Sequence, residues 1–239
     1  MQSHLAWFTE RGVYLVISLV MWAIAMVGFW PGYIGPMAAG TLDKTGAVHF
    51  HVLVYVGWLI LYTAQSTLPM IRKGRLHRKL GRFGIGYGVL VWFTGIFVTV
   101  SRFADRVRLG ELDEARIRTL PPLTDMLVFP ILFGLAIYYR TRPDLHKRYM
   151  VLAGTMLMVA AVARMVLNGI IAESPVAFLL IWLSPVLIAV LHDAWFQRRL
   201  HPVYGFGMIA LSLVSMRMLL IETDAWRAIT RWAASALVS

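Results

Sequence analysis

Apolar residues run almost unbroken through seven stretches of the chain, each bounded by charged or turn-forming positions. The stretches lie near Tyr14–Trp30, His49–Pro69, Phe83–Val100, Leu123–Tyr139, Met150–Asn168, Pro175–Leu191 and Tyr204–Leu220. About 20 mostly apolar residues carry a helix across the hydrocarbon of a bilayer. Backbone amides in lipid must be satisfied within their own segment, so runs this long predict helices. The pattern therefore predicts an all-α, polytopic membrane bundle of seven transmembrane helices. The longest connections, Pro31–Val48 and Ser101–Pro122, are too short to bury a core, so residues 1–239 read as a single integral membrane domain. The tail, residues 222–237, interleaves Trp226, Ile229, Trp232 and Leu237 with Arg227 and Arg231. It reads as a short interfacial helix on the outer leaflet, or as a frayed helical extension.

Composition agrees: 59% of residues are hydrophobic and the mean hydropathy is +0.69, outside the soluble range. No internal repeat and no low-complexity tract interrupts the pattern. The net charge of +11 raises the question of nucleic acid, but its placement answers it. Arg72, Lys73, Arg75, Arg78, Lys79 and Arg82 fill the second loop with no acid among them. Arg140, Arg142, Lys147 and Arg148 dominate the fourth, and Arg198 and Arg199 the sixth. These loops share one face, and basic residues are retained on the cytoplasmic side, so this face is inside. The N-terminus is then cytoplasmic and the C-terminus external. In the third loop Arg102, Arg106, Arg108, Arg116 and Arg118 are nearly neutralised by Asp105, Glu111, Asp113 and Glu114. Topology and anionic headgroups account for the basic residues, so membrane lipids and not nucleic acid are the expected partners. The first apolar run lacks a basic n-region and a small-residue cleavage site, and reads as a true span. Without cysteine, disulfides, thiolate zinc sites, iron–sulfur clusters and Cys nucleophiles are excluded.

Ionisable groups in or beside spans cost several kcal/mol unless buried in the bundle, so each is a candidate for function. At the inner face, His77, His146, His192 and His201 stand at the mouths of the third, fifth, sixth and seventh spans, with Asp193 beside the third of them. Several helices each offering one imidazole is a way bundles build metal sites. The competing reading is four interfacial residues paired with headgroup phosphates. Gln65, near the inner end of the second span, can serve as a supporting partner. At the outer face lie His49, His51, Asp125, Arg164, Asn168 and Arg217. These are either ion pairs locking helix ends, with Asp125 to Arg164 the expected pair, or a site for an anion. His51, Trp58 and Gln65 repeat every seven residues and so share a helix face, with Tyr55 and Tyr62 adjoining. That face borders either a planar cofactor or ordinary packing. Gly84, Gly88 and Gly95 permit close approach of a neighbouring helix or of a flat ring. Pro130 and Pro185 are expected to kink their spans.

Phosphate-binding glycine loops, Gly-x-Ser-x-Gly elbows, His-Glu-x-x-His motifs and the histidine boxes of membrane desaturases are absent. So is the His-x-x-x-His expected on the last span of seven-span zinc ceramidases and adiponectin-receptor-like hydrolases. The blocks that stand out are His49-Phe-His51 with Trp58 and Gln65, and Leu76-His77-Arg78-Lys79-Leu80-Gly81. Further along come Asp125 with Phe129, His146-Lys147-Arg148-Tyr149-Met150 with Arg164, and Asp193 with Leu200-His201-Pro202. On these blocks, from His49 to about Gly205, the chain resembles a group of uncharacterised bacterial multi-pass membrane proteins, in which Leu more often stands at the position of Tyr149. That resemblance implies a bacterial inner (cytoplasmic) membrane location and no settled activity. More remotely, the His-Arg and His-Lys-Arg openings on alternate spans resemble membrane cytochromes of the b561 and ferric-reductase type. This second resemblance implies haem b held between His77 and His146 near the cytoplasmic face, with basic neighbours for the propionates. A second haem is not expected, because His49 and His51 lie on one helix.

Three functional expectations follow. The first is a redox protein whose inner-face histidines hold haem b, exchanging electrons with a quinone or another membrane redox subunit. The second is a non-haem iron, copper or zinc site built from His77, His146, His192, His201 and Asp193, acting on a lipid-soluble substrate. The third is a transporter or an assembly or accessory subunit with no cofactor. No nucleophile and base stand at an informative spacing, so no catalytic residue is named and membrane oxidoreductase is the activity expected if there is one.

Overall fold

The computed structural model describes the backbone of residues 2–238 and the side chains of residues 11–237 apart from Gln197. Helix α1 (Gln2–Phe29) passes through a π-helical turn, Trp30–Ile34, into the short α2 (Gly35–Ala38). The chain continues as α3 (Gly46–Met70), α4 (Gly74–Arg108), α5 (Leu112–Tyr138), α6 (Pro143–Leu167) and α7 (Pro175–Gln197). Helix α8 (Pro202–Ser215) runs into a 3₁₀ turn, Met216–Leu220, and α9 (Asp224–Val238) ends the described chain. Among the described residues, seven helical segments are long and apolar enough to cross a membrane. The protein is an all-α helical bundle.

Helix α6 is the axis of the bundle. Of its most apolar window 67% is buried, against 22–39% in the other six spans. It packs against α1, α5, α7 and α8, while α3 and α4 close the remaining side through α1 and α5. Small residues set the closest crossings. A Cβ added at Gly28 would lie 2.3 Å from the Ala161 carbonyl oxygen, so α1 and α6 meet backbone to backbone. The α4 glycines serve packing. Phe133 occupies the space beside Gly88, and Met126 and Tyr55 fill the space beside Gly95. Leu61 packs in ordinary contact beside Gly84. Helices α5 and α7 continue through Pro130 and Pro185.

The two connections expected to be loops are largely helical. Pro31 has no N–H to donate, and the helix absorbs the loss by widening: the Gly35 N–H bonds the Trp30 carbonyl, a π-type step. The rod then reaches Ala38. In the other connection, α4 extends to Arg108 and α5 starts at Leu112, leaving only a tight turn in which Gly110 adopts φ +78°. Thirty-five residues make α4 about 52 Å long at 1.5 Å per residue, well beyond a hydrocarbon core of about 30 Å. Its charges pair along the helices: Arg102 and Arg108 with Asp105 at 3.7 and 3.8 Å, and Arg118 with Glu114. A search for apolar runs misses such segments because their helical signal lies in charge spacing.

Helix α9 packs on this projecting hairpin, against both α4 and α5. Phe103, Ala115 and Ala234 form a small core between them. The Trp226 indole N–H donates to the Arg116 carbonyl at 3.0 Å, and Arg116 donates to the Ile221 carbonyl at 2.6 Å and to Glu222 at 3.2 Å. Ile229 and Trp232 stay exposed on the opposite side.

Candidate functional site

The inner ends of α3, α4 and α6 bring together three of the residues singled out in the sequence. His77 is in the first turn of α4 and His146 in the first turn of α6, and their ring centroids are 6.4 Å apart, edge to face at 80°. The His146 Nδ1–H donates to the Ala136 carbonyl at 2.8 Å, which leaves Nε2 with its lone pair. His77 hydrogen-bonds the backbone of Gln65, while its Nδ1 is buried without a partner. The Gln65 side-chain oxygen is likewise buried and unpartnered. Each imidazole thus has one nitrogen tied to the backbone and one held free, the arrangement by which surrounding groups orient a metal-ligating histidine. Trp58 stands farther along α3, packed edge-on against Phe129 and Phe133 with centroids 5.8 and 5.4 Å away. It is part of the protein core.

The other inner-face candidates gather on the far side of α6, around Arg148, which the sequence presents as a basic loop residue and as part of the His146–Met150 block but not as a site residue. Arg148 has no exposed side-chain surface, and its Nε and Nη2 donate to the equally buried Asp193 at 3.0 and 2.5 Å. Its Nη1 reaches the Asp144 carbonyl at 2.7 Å and the Asp144 carboxylate, and the guanidinium lies 5.6 Å from the Tyr204 ring centroid. Asp193 is therefore held by a guanidinium. His201 accepts from the Val203 N–H as the N-cap of α8, and its Nε2 lies 3.1 Å from Asp144. His192 packs its ring on Phe196 with centroids 4.7 Å apart, and both its nitrogens are buried without a hydrogen-bond partner. The five-residue ligand set of His77, His146, His192, His201 and Asp193 is not assembled. Among the described residues no group of three or more His, Asp or Glu is placed to hold one ion. The physical reason is that successive residues leave a helix about 100° apart: His146 looks toward α4 while Arg148 looks toward α7.

At the outer level the pairing differs from the expected one. Asp125 is bonded to Arg217, with side chains 8% and 9% exposed, and not to Arg164. The 3₁₀ turn after α8 lies against α5 and delivers Arg217 to that carboxylate first. Arg164 instead donates to the Ala160 carbonyl of its own helix at 2.7 Å and lies over the Phe29 ring at 4.6 Å. The Asn168 amide donates to the Arg164 carbonyl at 2.7 Å. His49 shares a 2.7 Å hydrogen bond with the Tyr33 hydroxyl. The His51 Nδ1–H reaches the Thr94 carbonyl at 3.3 Å, with Tyr55 packed on its ring.

Bundle, buried ion pairs and inner imidazole pair together define a multi-pass membrane protein with polar sites at both ends of its helices. No family model, curated protein or solved structure matches the chain.

Proposed function

We propose that this is an inner-membrane metalloprotein in which His77 and His146 hold one metal centre near the basic, cytoplasmic face. The observation that carries the reading is the imidazole pair itself: two helices, 6.4 Å between centroids, and one lone pair kept free on each ring. Two imidazoles ligating one metal from opposite sides at about 2.0–2.1 Å place their centroids roughly 6 Å apart. His77 and His146 would be the residues that hold haem b, which would supply one-electron chemistry for exchange with a quinone or a membrane redox subunit. The aromatic and glycine face of α3 and α4 offers no slot for the ring, because Phe129, Phe133 and Met126 fill it. A porphyrin would have to sit at the mouth of the bundle, between the first turns of α4 and α6.

A second reading has its own observation. The unpartnered Gln65 oxygen beside the pair suits a small non-haem iron, copper or zinc ion with solvent completing the shell. An apolar groove lined by Trp22, Ile60, Thr63, Ala64, Thr67 and Leu68 runs past this level and is open to a lipid-soluble substrate or a quinone. An absorbance spectrum with elemental analysis on detergent-purified protein separates the readings. Haem b gives a Soret band that is lost when His77→Ala and His146→Ala are combined. A stoichiometric metal without that band, lost in the same double variant, assigns the non-haem site. Neither signal in wild-type protein overturns both.

A further inference from the structure

The nitrogens that the two inner imidazoles hold free are different atoms, and the difference has chemical consequences. In α3, Pro69 has no N–H to return to the Gln65 carbonyl four residues earlier. His77 takes that released acceptor. Its Nδ1 is buried without a partner, so the donor is Nε2–H and the lone pair stays on Nδ1. His146 is held the other way round. Its Nδ1–H donates to the Ala136 carbonyl, 2.8 Å away in the last turn of α5, and its lone pair is on Nε2.

Nδ1 adjoins the ring carbon that carries Cβ, whereas Nε2 has only C–H neighbours. A macrocycle bound at His77 Nδ1 would press against Cβ and the backbone of α4. The glycine that could relieve this, Gly81 one turn along, is covered: the Gln65 amide nitrogen lies 3.2 Å from where its Cβ would be. A bare ion meets no such obstacle, since small ions accept either imidazole nitrogen.

Coordination number and charge narrow the ion further. Two imidazoles on opposite sides of an ion set their centroids roughly 6 Å apart, and a tetrahedral angle draws them to roughly 5 Å. The observed 6.4 Å matches the opposed arrangement. Among the described residues no third His, Asp or Glu joins the pair. Arg75, Arg78 and Lys79 flank His77 in sequence, with no acid between Arg72 and Arg82. A doubly charged ion in this half-buried place has no carboxylate to offset it, and zinc would depend on solvent for half of its shell. Copper(I) carries a single charge, and two in-line imidazoles complete its shell.

We propose that His77 Nδ1 and His146 Nε2 form a two-coordinate copper(I) site, with Pro69 a positioning residue that fixes which His77 nitrogen is offered. The proposal rests on the reading of this pair as a metal centre and names the ion.

The test uses the full chain purified in maltoside and stripped of metal, with tryptophan fluorescence reporting thermal unfolding. Anaerobic titration with copper(I) against bathocuproine disulfonate, which absorbs when it holds the ion, should transfer one copper per chain. X-ray absorption at the copper edge should show two nitrogen ligands in line. His77→Ala and His146→Ala each abolish the transfer, His192→Ala leaves it intact, and excess zinc does not compete. Pro69→Ala returns the Gln65 carbonyl to α3 and weakens copper(I) binding by about tenfold or more without lowering Tm. Undiminished binding in that variant overturns the role of Pro69. If either histidine variant does not fold, the ligand count at the copper edge of the wild-type protein decides, and three or more ligands overturn the two-coordinate site. A Soret band, or stoichiometric zinc or iron, that depends on these histidines overturns copper(I) and leaves the pair a metal centre. Protein that takes neither copper(I), zinc, iron nor haem overturns that reading as well.

Discussion

A guanidinium with no exposed surface is tolerable only while its donors are used, and at Arg148 the carboxylates of Asp193 and Asp144 use them. Removing one partner of a buried pair costs about 3–5 kcal/mol, because the other is left charged and unpaired. Arg148→Ala should therefore lower the stability measured by thermal or denaturant unfolding in detergent by that order. Arg148→Met combined with Asp193→Leu should recover most of the loss, since apolar replacement of both partners is often neutral. Equal instability in single and double variants would locate the effect elsewhere. Composition shows Arg148 as one more basic residue at the edge of a span. Its role appears only when the neighbours of α6 are known, since two positions separate it from His146 and turn it to the opposite side. The same holds for Asp193, which in sequence stands beside a histidine and in space belongs to an arginine.

Helices pack at separations their smallest residues allow, and Gly28 marks the tightest such place in α1. A methyl there meets the backbone of Ala161, which cannot move aside as a flexible side chain can. Gly28→Ala should cost about 1–3 kcal/mol by forcing α1 from α6, while Gly32→Ala, with nothing within 4 Å, should be nearly neutral. The spans were readable because twenty-residue apolar runs have one physical outcome in lipid. The helical connections were not, since the hairpin is stabilised by paired charges and by α9, a contact between residues more than a hundred positions apart. At that contact Glu222 is held below the usual carboxylate range, first by its hydrogen bond to Arg227 and then by Arg116. A carboxylate with a lowered folded pKa stabilises at pH above its unfolded value, and the contribution fades as acid takes pH down through the folded value. Acidification should therefore loosen α9. A spin label on Ser235→Cys should gain mobility as pH falls through that window, and Glu222→Gln should remove the pH dependence while leaving the label mobile throughout.

Orientation links the two ends of the molecule, because it decides which solution each polar site meets. The sequence made the imidazole pair legible as to residue, as His77, His146 and Gln65 come together. It did not distinguish those histidines from His192 and His201, since all four stand at the mouth of a span and only packing separates them. The basic residues Arg72 and Lys73 and those of the first turns of α4 and α6 surround the pair, and the cytoplasmic placement proposed for it rests on the positive-inside rule applied to them. On that proposal the long hairpin and α9 face outward. The chain contains no cysteine, so single-cysteine labelling reports topology without background. On intact spheroplasts a membrane-impermeant maleimide should label Asp43→Cys and Glu111→Cys. Lys73→Cys and Arg142→Cys should react only after permeabilisation. The reverse pattern would place the imidazole pair outside, moving any metal centre away from cytoplasmic reductants.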